Sequence, residues 1–249
     1  VLVGEWLKTD SIHDPLLTWY KFDGNANDSS AYGHHADPCS DPGGLFPSYV
    51  ASMAGFGQAM DVNGGGDCVI DDDAEDYING LGAITVCAWI KSELTNTDRG
   101  FIIAEEPVGR DNSVTMRYDA VGANYGGTNV LKMGITTTAG VIQLESSSNL
   151  QTQDWQHVAM TWTSGQQIKF YVNGDLDTPA GVSPAVDGLI ADCTTLIVGK
   201  GGKDQNSSWA GLIDDVRIYD KALSEAEIES IMDGSLGSVD DYHPVPSGA

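Results

Sequence analysis

The chain has few basic residues for its size. Among 249 residues, 12 Lys and Arg stand against 36 Asp and Glu, which gives a net charge of −24 at pH 7. Nucleic-acid binding needs a cluster or stripe of basic side chains to contact phosphates, and the sequence contains no such cluster. Nucleic acid is therefore excluded as a partner, and neutral partners are favoured over polyanionic ones.

Long apolar runs are also absent. No run approaches the roughly 20 residues needed to cross a bilayer, so membrane insertion is not expected. The length and the 41% hydrophobic content fit one large sandwich domain. We predict an N-terminal extension (1–16), one domain (17–236) and a C-terminal linker (237–249) with two prolines, and we expect other domains of a larger parent chain as partners.

The four cysteines show neither a CxxC motif nor a zinc-type pairing with histidine. Their even number favours two disulfides and an extracellular, cell-surface or periplasmic location. Although four cysteines allow three connectivities, the expected pairs are Cys39–Cys68 and Cys87–Cys193, the second joining two predicted strands. Four reduced thiols, as in a cytosolic protein, are the alternative.

Most of the chain has the pattern of β-strands. The segments 83–90, 158–163 and 168–172 are rich in β-branched and apolar residues, and Asn173-Gly174 is a strong hairpin signal. In LIDDVRIY, residues 212, 214, 216 and 218 are expected to alternate in orientation with 213, 215, 217 and 219. Helical periodicity begins only after Ser224, which with Glu227 forms a capping-box pattern. The predicted fold class is all-β, an antiparallel two-sheet sandwich with one short C-terminal helix.

Several sequence motifs occur in the order typical of one known family. They are WYKFDGNANDSSAYG, FGQAMDVNGGGDCVIDDD, AITVCAWIKS, DWQHVAMTWTSGQQIKFYVNGDL, TTLIVGKG and WAGLIDDVRIYDKALSEAEIESIM. From Leu17 to Gly234 the chain resembles the laminin-G-like (LamG) jelly-roll domains of the concanavalin A-like superfamily. The resemblance implies a jelly-roll sandwich.

Two loops rich in Asp, Asn and Gly supply the hard oxygen ligands that calcium prefers. They are FDGNANDSS and DVNGGGD. The resemblance implies a structural calcium ion at the point where these loops meet the last strand, with Asp23, Asn25, Gly64 and Asp214 as ligands. The alternative is that these residues only form turns.

No catalytic motif is found. Retaining glycosidases of this fold carry Glu-x-Asp-x-x-Glu along one strand, and no segment of this chain matches that pattern. Glu105 and Glu106 are adjacent, so they point to opposite faces of a strand. His157 is expected to be a packing residue. Catalysis is therefore not expected, with an atypical polysaccharide lyase or hydrolase as an alternative.

Sugar binding on such a fold depends on aromatic rings together with polar side chains. Trp19, Trp89 and Trp162 are expected in the core, whereas other aromatic residues lie in polar segments. The predicted ligand-binding residues are Arg117, Tyr118, Tyr125 and Trp209. The expected function is that of a noncatalytic carbohydrate-binding module of a secreted protein, with calcium as cofactor and a neutral glycan as partner. A structural or adhesion spacer without a glycan site is the other alternative.

Overall fold

The computed structural model describes residues 15–105, 112–122, 124–201 and 208–234. The first eight strands in these ranges are β1 (Leu16–Tyr20), β2 (Asp37–Cys39), β3 (Ser48–Ala51), β4 (Gln58–Asn63), β5 (Cys68–Asp71), β6 (Ala83–Ser92), β7 (Arg99–Glu105) and β8 (Asn112–Val121). The following strands are β9 (Thr128–Thr137), β10 (Gly140–Glu145), β11 (Gln156–Thr163), β12 (Lys169–Val172), β13 (Asp175–Leu176), β14 (Gly181–Val182), β15 (Thr195–Val198) and β16 (Ala210–Tyr219). The helices are α1 (Glu75–Ile78) and α2 (Glu225–Met232).

The strands form two antiparallel sheets that pack face to face. Sheet 1 has the order β13, β12, β11, β6, β16, β4, β3, and β1 also pairs with β16. Sheet 2 has the order β14, β10, β9, β8, β7, β15, β5, β2. The Asn173-Gly174 dipeptide joins β12 to β13 with φ angles of 51° and 89°, as a tight hairpin turn requires. The predicted all-β jelly-roll sandwich is confirmed.

Alternate residues of each central strand pack into the core between the sheets. In β9, Leu131, Met133 and Ile135 belong to the core cluster, while Lys132 and Gly134 alternate with them. Because side chains alternate across a strand, the intervening residues lie on the outer face of sheet 2. β9 therefore has an apolar side in the core and a more polar side directed outward.

The outer face of sheet 1 is covered by α2. Glu227 N donates to Ser224 Oγ over 3.4 Å, and Ser224 N donates to Glu227 Oε2 over 2.7 Å, so the predicted capping box is present. Ile228 and Ile231 of this helix are buried. They form a second apolar cluster with Leu16, Trp19, Cys87, Ala159, Tyr171, Tyr219 and Leu223.

A β-bulge in β16 was not predicted. The register with β6 shifts between Asp214 and Arg217, and Asp215 has a φ of 50°. As a result, Val216 packs in the core with Ile218, while Asp214 does not. The expectation of uninterrupted alternation, with Asp214 and Val216 on one face, is therefore wrong.

Asp215, in the bulge, connects the first strand, β1, to the last strand, β16. Trp19 Nε1 donates to the Asp215 carboxylate, and Arg217 forms an ion pair with the same carboxylate at 3.1 Å. The Arg217 guanidinium also lies 4.2 Å from the centre of the Trp19 ring. Buried charges need such partners, and this cluster fixes β1 against β16.

One predicted disulfide is present and the other is not. Cys39 and Cys68 are bonded, which links the paired strands β2 and β5. Cys87 and Cys193 are buried and unbonded, so the predicted Cys87–Cys193 pair is wrong. The reason is geometric, because Cys87 lies under α2 on the outer face of sheet 1, whereas Cys193 lies in the core between the sheets. Burial raises the pKa of each of these thiols to about 12.

The number of helices differs from the prediction, and the predicted domain boundaries stay predictions. The one-turn helix α1 adds a second helix to the one that was predicted. Most of the predicted extension, residues 1–14, and the predicted linker, residues 237–249, lie outside the described residues. Neither described helix is long and apolar enough to span a membrane.

Candidate functional site: the polar face of sheet 2

Two of the four predicted ligand-binding residues lie in the core. Trp209 and Tyr118 are both 0% exposed. Their rings pack against each other at 5.0 Å, and the Trp209 ring lies 5.2 Å from that of Phe101. Polar neighbours in the sequence suggested exposure, but these side chains point inward from β8 and from the start of β16. The assignment of Tyr118 and Trp209 to a ligand surface is therefore wrong.

Arg117 lies on the outer face of sheet 2, between core residues Met116 and Tyr118. It pairs in register with Lys132 of β9, and Lys132 pairs with Glu145 of β10. Residues directly opposite each other in antiparallel strands project on the same face. Arg117, Lys132 and Glu145 thus form a polar row across three adjacent strands.

A second row lies beside the first, one pleat along the strands. Thr115 pairs with Gly134, and Gly134 pairs with Gln143. A Cβ added to Gly134 would lie 3.1 Å from Thr115 Cγ2, so the glycine allows close packing and leaves a low point on the surface. We call the outer-face residues Thr115, Arg117, Asp119, Lys132, Gln143 and Glu145 the polar face.

Tyr125 stands at one edge of the polar face. Its backbone N–H and that of Asn124 donate to the Glu145 carboxylate over 3.1 and 2.9 Å, which fixes this loop on β10. Its ring lies over Gly181 of β14, where a Cβ would be only 2.2 Å from Tyr125 Cγ. Tyr125 remains 39% exposed. Because Gly181 pairs with Glu145, Tyr125 lies at the end of the row that begins at Arg117.

The charges of the polar face are balanced. Arg117 and Lys132 lie beside Asp119 and Glu145, and Lys132 Nζ is 4.0 Å from Asp119 Oδ2. Burial raises the pKa of Asp119, and the positive charge of Arg117 opposes that increase. The face offers hydrogen-bond donors and acceptors without a strong net charge. With an exposed ring at its edge, it matches the chemistry of a sugar, which has hydroxyl groups and an apolar C–H face.

Two of the four predicted calcium ligands come together. The buried Asp214 accepts hydrogen bonds from Ser52 Oγ and from Asp215 N, the latter over 2.7 Å. Burial, with the negative charges of Asp215 and Asp23, raises the pKa of Asp214 to about 7. Asp23 therefore lies within electrostatic reach of Asp214, and its carboxylate accepts from Gln58 N over 2.8 Å.

Gly64, a third predicted ligand, is not part of this cluster. Gly64 follows Asn63 at the far end of β4, and the strand from Gln58 to Asn63 is about 17 Å long at the usual rise per residue. Asn25 is exposed, and its side chain accepts from Asn27 N over 2.9 Å, as in a turn. Gly64 was therefore wrongly grouped with Asp214, and the role of Asn25 as a ligand stays a prediction. Over the described ranges, no group of three or more His, Cys, Asp or Glu is placed to hold a metal ion.

His157 lies on the outer face of sheet 1 and is 1% exposed. Its ring packs edge-on against Trp89, with the ring centres 5.3 Å apart. Burial, together with the charge of Arg217, lowers the pKa of His157 to about 3. The imidazole is thus neutral and packed near pH 7, as expected for a packing residue.

The polar face contains residues that the sequence analysis missed. Lys132, Gln143 and Glu145 lie in strands whose sequences, LKMGIT and VIQLE, alternate between apolar and polar residues. That alternation marks an outward polar face and was available as a signal. What it does not show is the pairing register, which places Lys132 between Arg117 and Glu145.

The two antiparallel sheets and their polar outer face define the chain as a jelly-roll sandwich of the concanavalin A type. More particularly, the chain belongs to the family described as Concanavalin A-like lectin/glucanases superfamily (Laminin_G_3), whose model matches residues 63–229, more than half of the chain. This result confirms the family suggested by the sequence motifs.

Solved structures share the fold. Domain 4 of AbnA, an extracellular arabinanase of family GH43 from Geobacillus stearothermophilus in complex with arabinotriose, has a TM-score of 0.64 and 21% identity, covering 87% of this chain and 98% of that domain. The binding domain of botulinum neurotoxin DC in complex with SialylT has a TM-score of 0.59 and 13% identity, covering 88% of this chain. The chain spans about half the length of the toxin domain, 51%. A search of curated protein sequences gave no match.

Proposed function

We propose that this domain is a noncatalytic carbohydrate-binding module and that it binds a glycan on the polar face. The observation that carries the proposal is the row from Arg117 through Lys132 and Glu145 to the exposed ring of Tyr125. Three strand spacings separate the two ends, about 14 Å, which is the length of a short oligosaccharide. The glycan ligands of the arabinanase domain and of the toxin domain support the same class of partner.

A neutral glycan suits the polar face best. The two basic side chains of the row are offset by Asp119 and Glu145, and the domain as a whole carries a net charge of −24. A polyanionic ligand would therefore meet repulsion from the domain without a compensating basic pocket on this face. Neutral hydroxyl groups can accept from Arg117 and Lys132 and can exchange hydrogen bonds with the Gln143 amide, whereas the buried carboxylates of Glu145 and Asp119 are bonded within the protein.

We also propose that calcium stabilises the domain at Asp23 and Asp214. The buried Asp214 has two carboxylates nearby, and a cation would offset the unfavourable burial of its charge. Carboxylate and hydroxyl oxygens, including that of Ser52, are ligands that calcium accepts, and water completes its shell where a protein supplies few groups. Asn25 and Gly64 have no part in this proposal.

An extracellular location within a larger protein fits the same picture. The Cys39–Cys68 disulfide is typical of oxidising compartments. Domain 4 of AbnA, which has the same fold, belongs to an extracellular enzyme with further domains. Our proposal is that this chain likewise serves as a module that holds its parent protein on a glycan.

Binding to a panel of neutral polysaccharides and trisaccharides, arabinotriose included, tests the proposal. We expect micromolar to millimolar dissociation constants, as for other shallow sites with few hydrogen bonds. Tyr125→Ala should weaken binding at least fivefold, because it removes the ring at the end of the row. Tyr32→Ala, which removes a similarly exposed tyrosine (42%) outside the polar face, is the matched control. An equal loss of affinity in both variants, or no binding across the panel, would favour the alternative of a structural or adhesion spacer without a glycan site. Release of products from the polysaccharides would show an enzyme.

A further inference from the structure

A groove separate from the polar face lies at the edge of the sandwich. Its volume is about 1040 Å³, and it is lined by β12, by Val182 of β14 and by the segment that leads into α2. Ligand pockets in proteins commonly have volumes of about 300 to 1,000 Å³. The groove is therefore large enough for an oligosaccharide.

The groove brings aromatic and polar side chains together. Trp162, Phe170 and Tyr171 line it, and so do the exposed side chains of Gln166 and Lys169. Trp162 is 1% exposed, and its Nε1 has no hydrogen-bond partner among the described residues. A buried donor without a partner is costly, and an acceptor oxygen supplied by a ligand or by water removes that cost.

Three of the five charged groups that line the groove bond to other residues of the protein, and the other two, Lys169 and Glu225, are exposed. The Asp177 carboxylate accepts from Ser147 N over 2.8 Å and from Ser147 Oγ over 2.6 Å. Lys221 forms an ion pair with Glu227 at 2.6 Å. Because Lys169 and Glu225 carry opposite charges, the lining has no strong net charge, and its remaining polar groups lie next to aromatic carbon. Such a lining complements a neutral polyol better than it complements an ion.

We infer that this groove is a second binding site for a neutral saccharide, with Gln166 and Lys169 contacting hydroxyl groups at the rim and with the buried Trp162 indole at its floor. The ligand class rests on the proposed function, whereas the location does not. The Tyr125 ring packs on Gly181 at the edge of the polar face, and the next residue, Val182, lines the groove. The short strand β14 therefore borders both sites. Two sites on one module let a polysaccharide bind with avidity.

Titration of the isotopically labelled domain with arabinotriose, xylotriose and mannotriose, followed by NMR, tests the inference. With a trisaccharide that binds, we expect the assigned indole N–H resonance of Trp162 and the amide resonance of Lys169 to shift in a saturable manner. The shifts should persist in the double variant Arg117→Ala/Tyr125→Ala, which removes the polar-face contacts. Gln166→Ala/Lys169→Ala should weaken binding in the groove roughly fivefold or more, the effect of losing one or two hydrogen bonds.

Lys91→Ala is the matched control, because Lys91 is another exposed strand lysine and lies outside the groove. Shifts confined to the polar face would overturn the second site and leave the proposed function intact. Shifts confined to the groove would support the second site and overturn the polar face as the binding surface. If no trisaccharide shifts the resonances of the polar face or of the groove, both proposed binding sites are wrong.

Discussion

The sharpest prediction concerns the buried carboxyl group of Asp214 when calcium is removed. Its pKa is about 7 in the folded domain, compared with 3.8 for an unperturbed group. The difference of about three pKa units corresponds to roughly 4 kcal/mol. Because the folded state holds the proton more tightly than the unfolded chain does, this contribution to stability is complete below the unfolded pKa. It declines as the pH rises and is lost above about 7.

The measurement is urea unfolding of chelated protein near pH 4 and near pH 8, in the wild type and in Asp214→Asn. The variant has no titrating group at this position, so the difference in unfolding free energy between the two proteins isolates the effect of Asp214. As the pH rises from about 4 to about 8, we expect the unfolding free energy of the wild type to fall relative to that of the variant by up to about 4 kcal/mol. Excess calcium at pH 8 should restore the stability of the wild type and not that of the variant, because the ion binds the folded carboxylate.

Glu229→Gln, which removes an exposed carboxyl group on α2, is the control and should show no comparable pH dependence. A difference between wild type and Asp214→Asn that does not depend on pH would refute the electrostatic reasoning. Unfolding curves of the wild type that are identical with calcium and with chelator would refute the calcium proposal.

The other predictions concern the disulfide, the core and the ligand. Thiol titration of the denatured, unreduced protein should find two thiols, those of Cys87 and Cys193. Replacing Cys39 and Cys68 by alanine should cost about 3.5 kcal/mol, from the sequence separation of 29 residues that the disulfide closes; an unchanged urea midpoint would contradict this. Trp209→Ala should cost about 3 to 5 kcal/mol because the side chain is fully buried. In contrast, Tyr125→Ala should change the unfolding free energy by less than about 0.5 kcal/mol, and similar losses in the two variants would mean that Tyr125 also supports the core. Affinity for a neutral trisaccharide should hardly change with salt, whereas a steep decrease in a salt titration would indicate ionic binding.

The sequence contained the local information for most of the fold. Alternation in strands such as β9, the Asn173-Gly174 turn and the capping box of Ser224 and Glu227 each depend on neighbouring residues, and the structure confirms them. These features need no knowledge of distant contacts. The pairing of Asp23 with Asp214 came from the family resemblance and stays a prediction as a metal site.

Features that depend on which side of a strand a residue occupies were harder to predict. The bulge at Asp215 changes the orientation of the residues after it, and nothing in LIDDVRIY marks that position. Cys87 and Cys193 were both placed in or beside strands, but they lie on opposite sides of sheet 1, where no bond between them is possible. Trp209 was assigned to the surface from its polar neighbours, although tertiary contacts with Phe101 and Tyr118 bury it.

The division of the sheet 2 strands into an inner and an outer side has a consequence for evolution. In β8 and β9, residues of the core cluster alternate with residues that do not belong to it. Substitutions at partly exposed outward positions such as Arg117 and Gln143 therefore cost less stability than substitutions in the core. A lineage can exchange them to suit a new sugar while Met116 and Met133 stay unchanged behind them. The architecture thus separates the residues under selection for recognition from those under selection for folding.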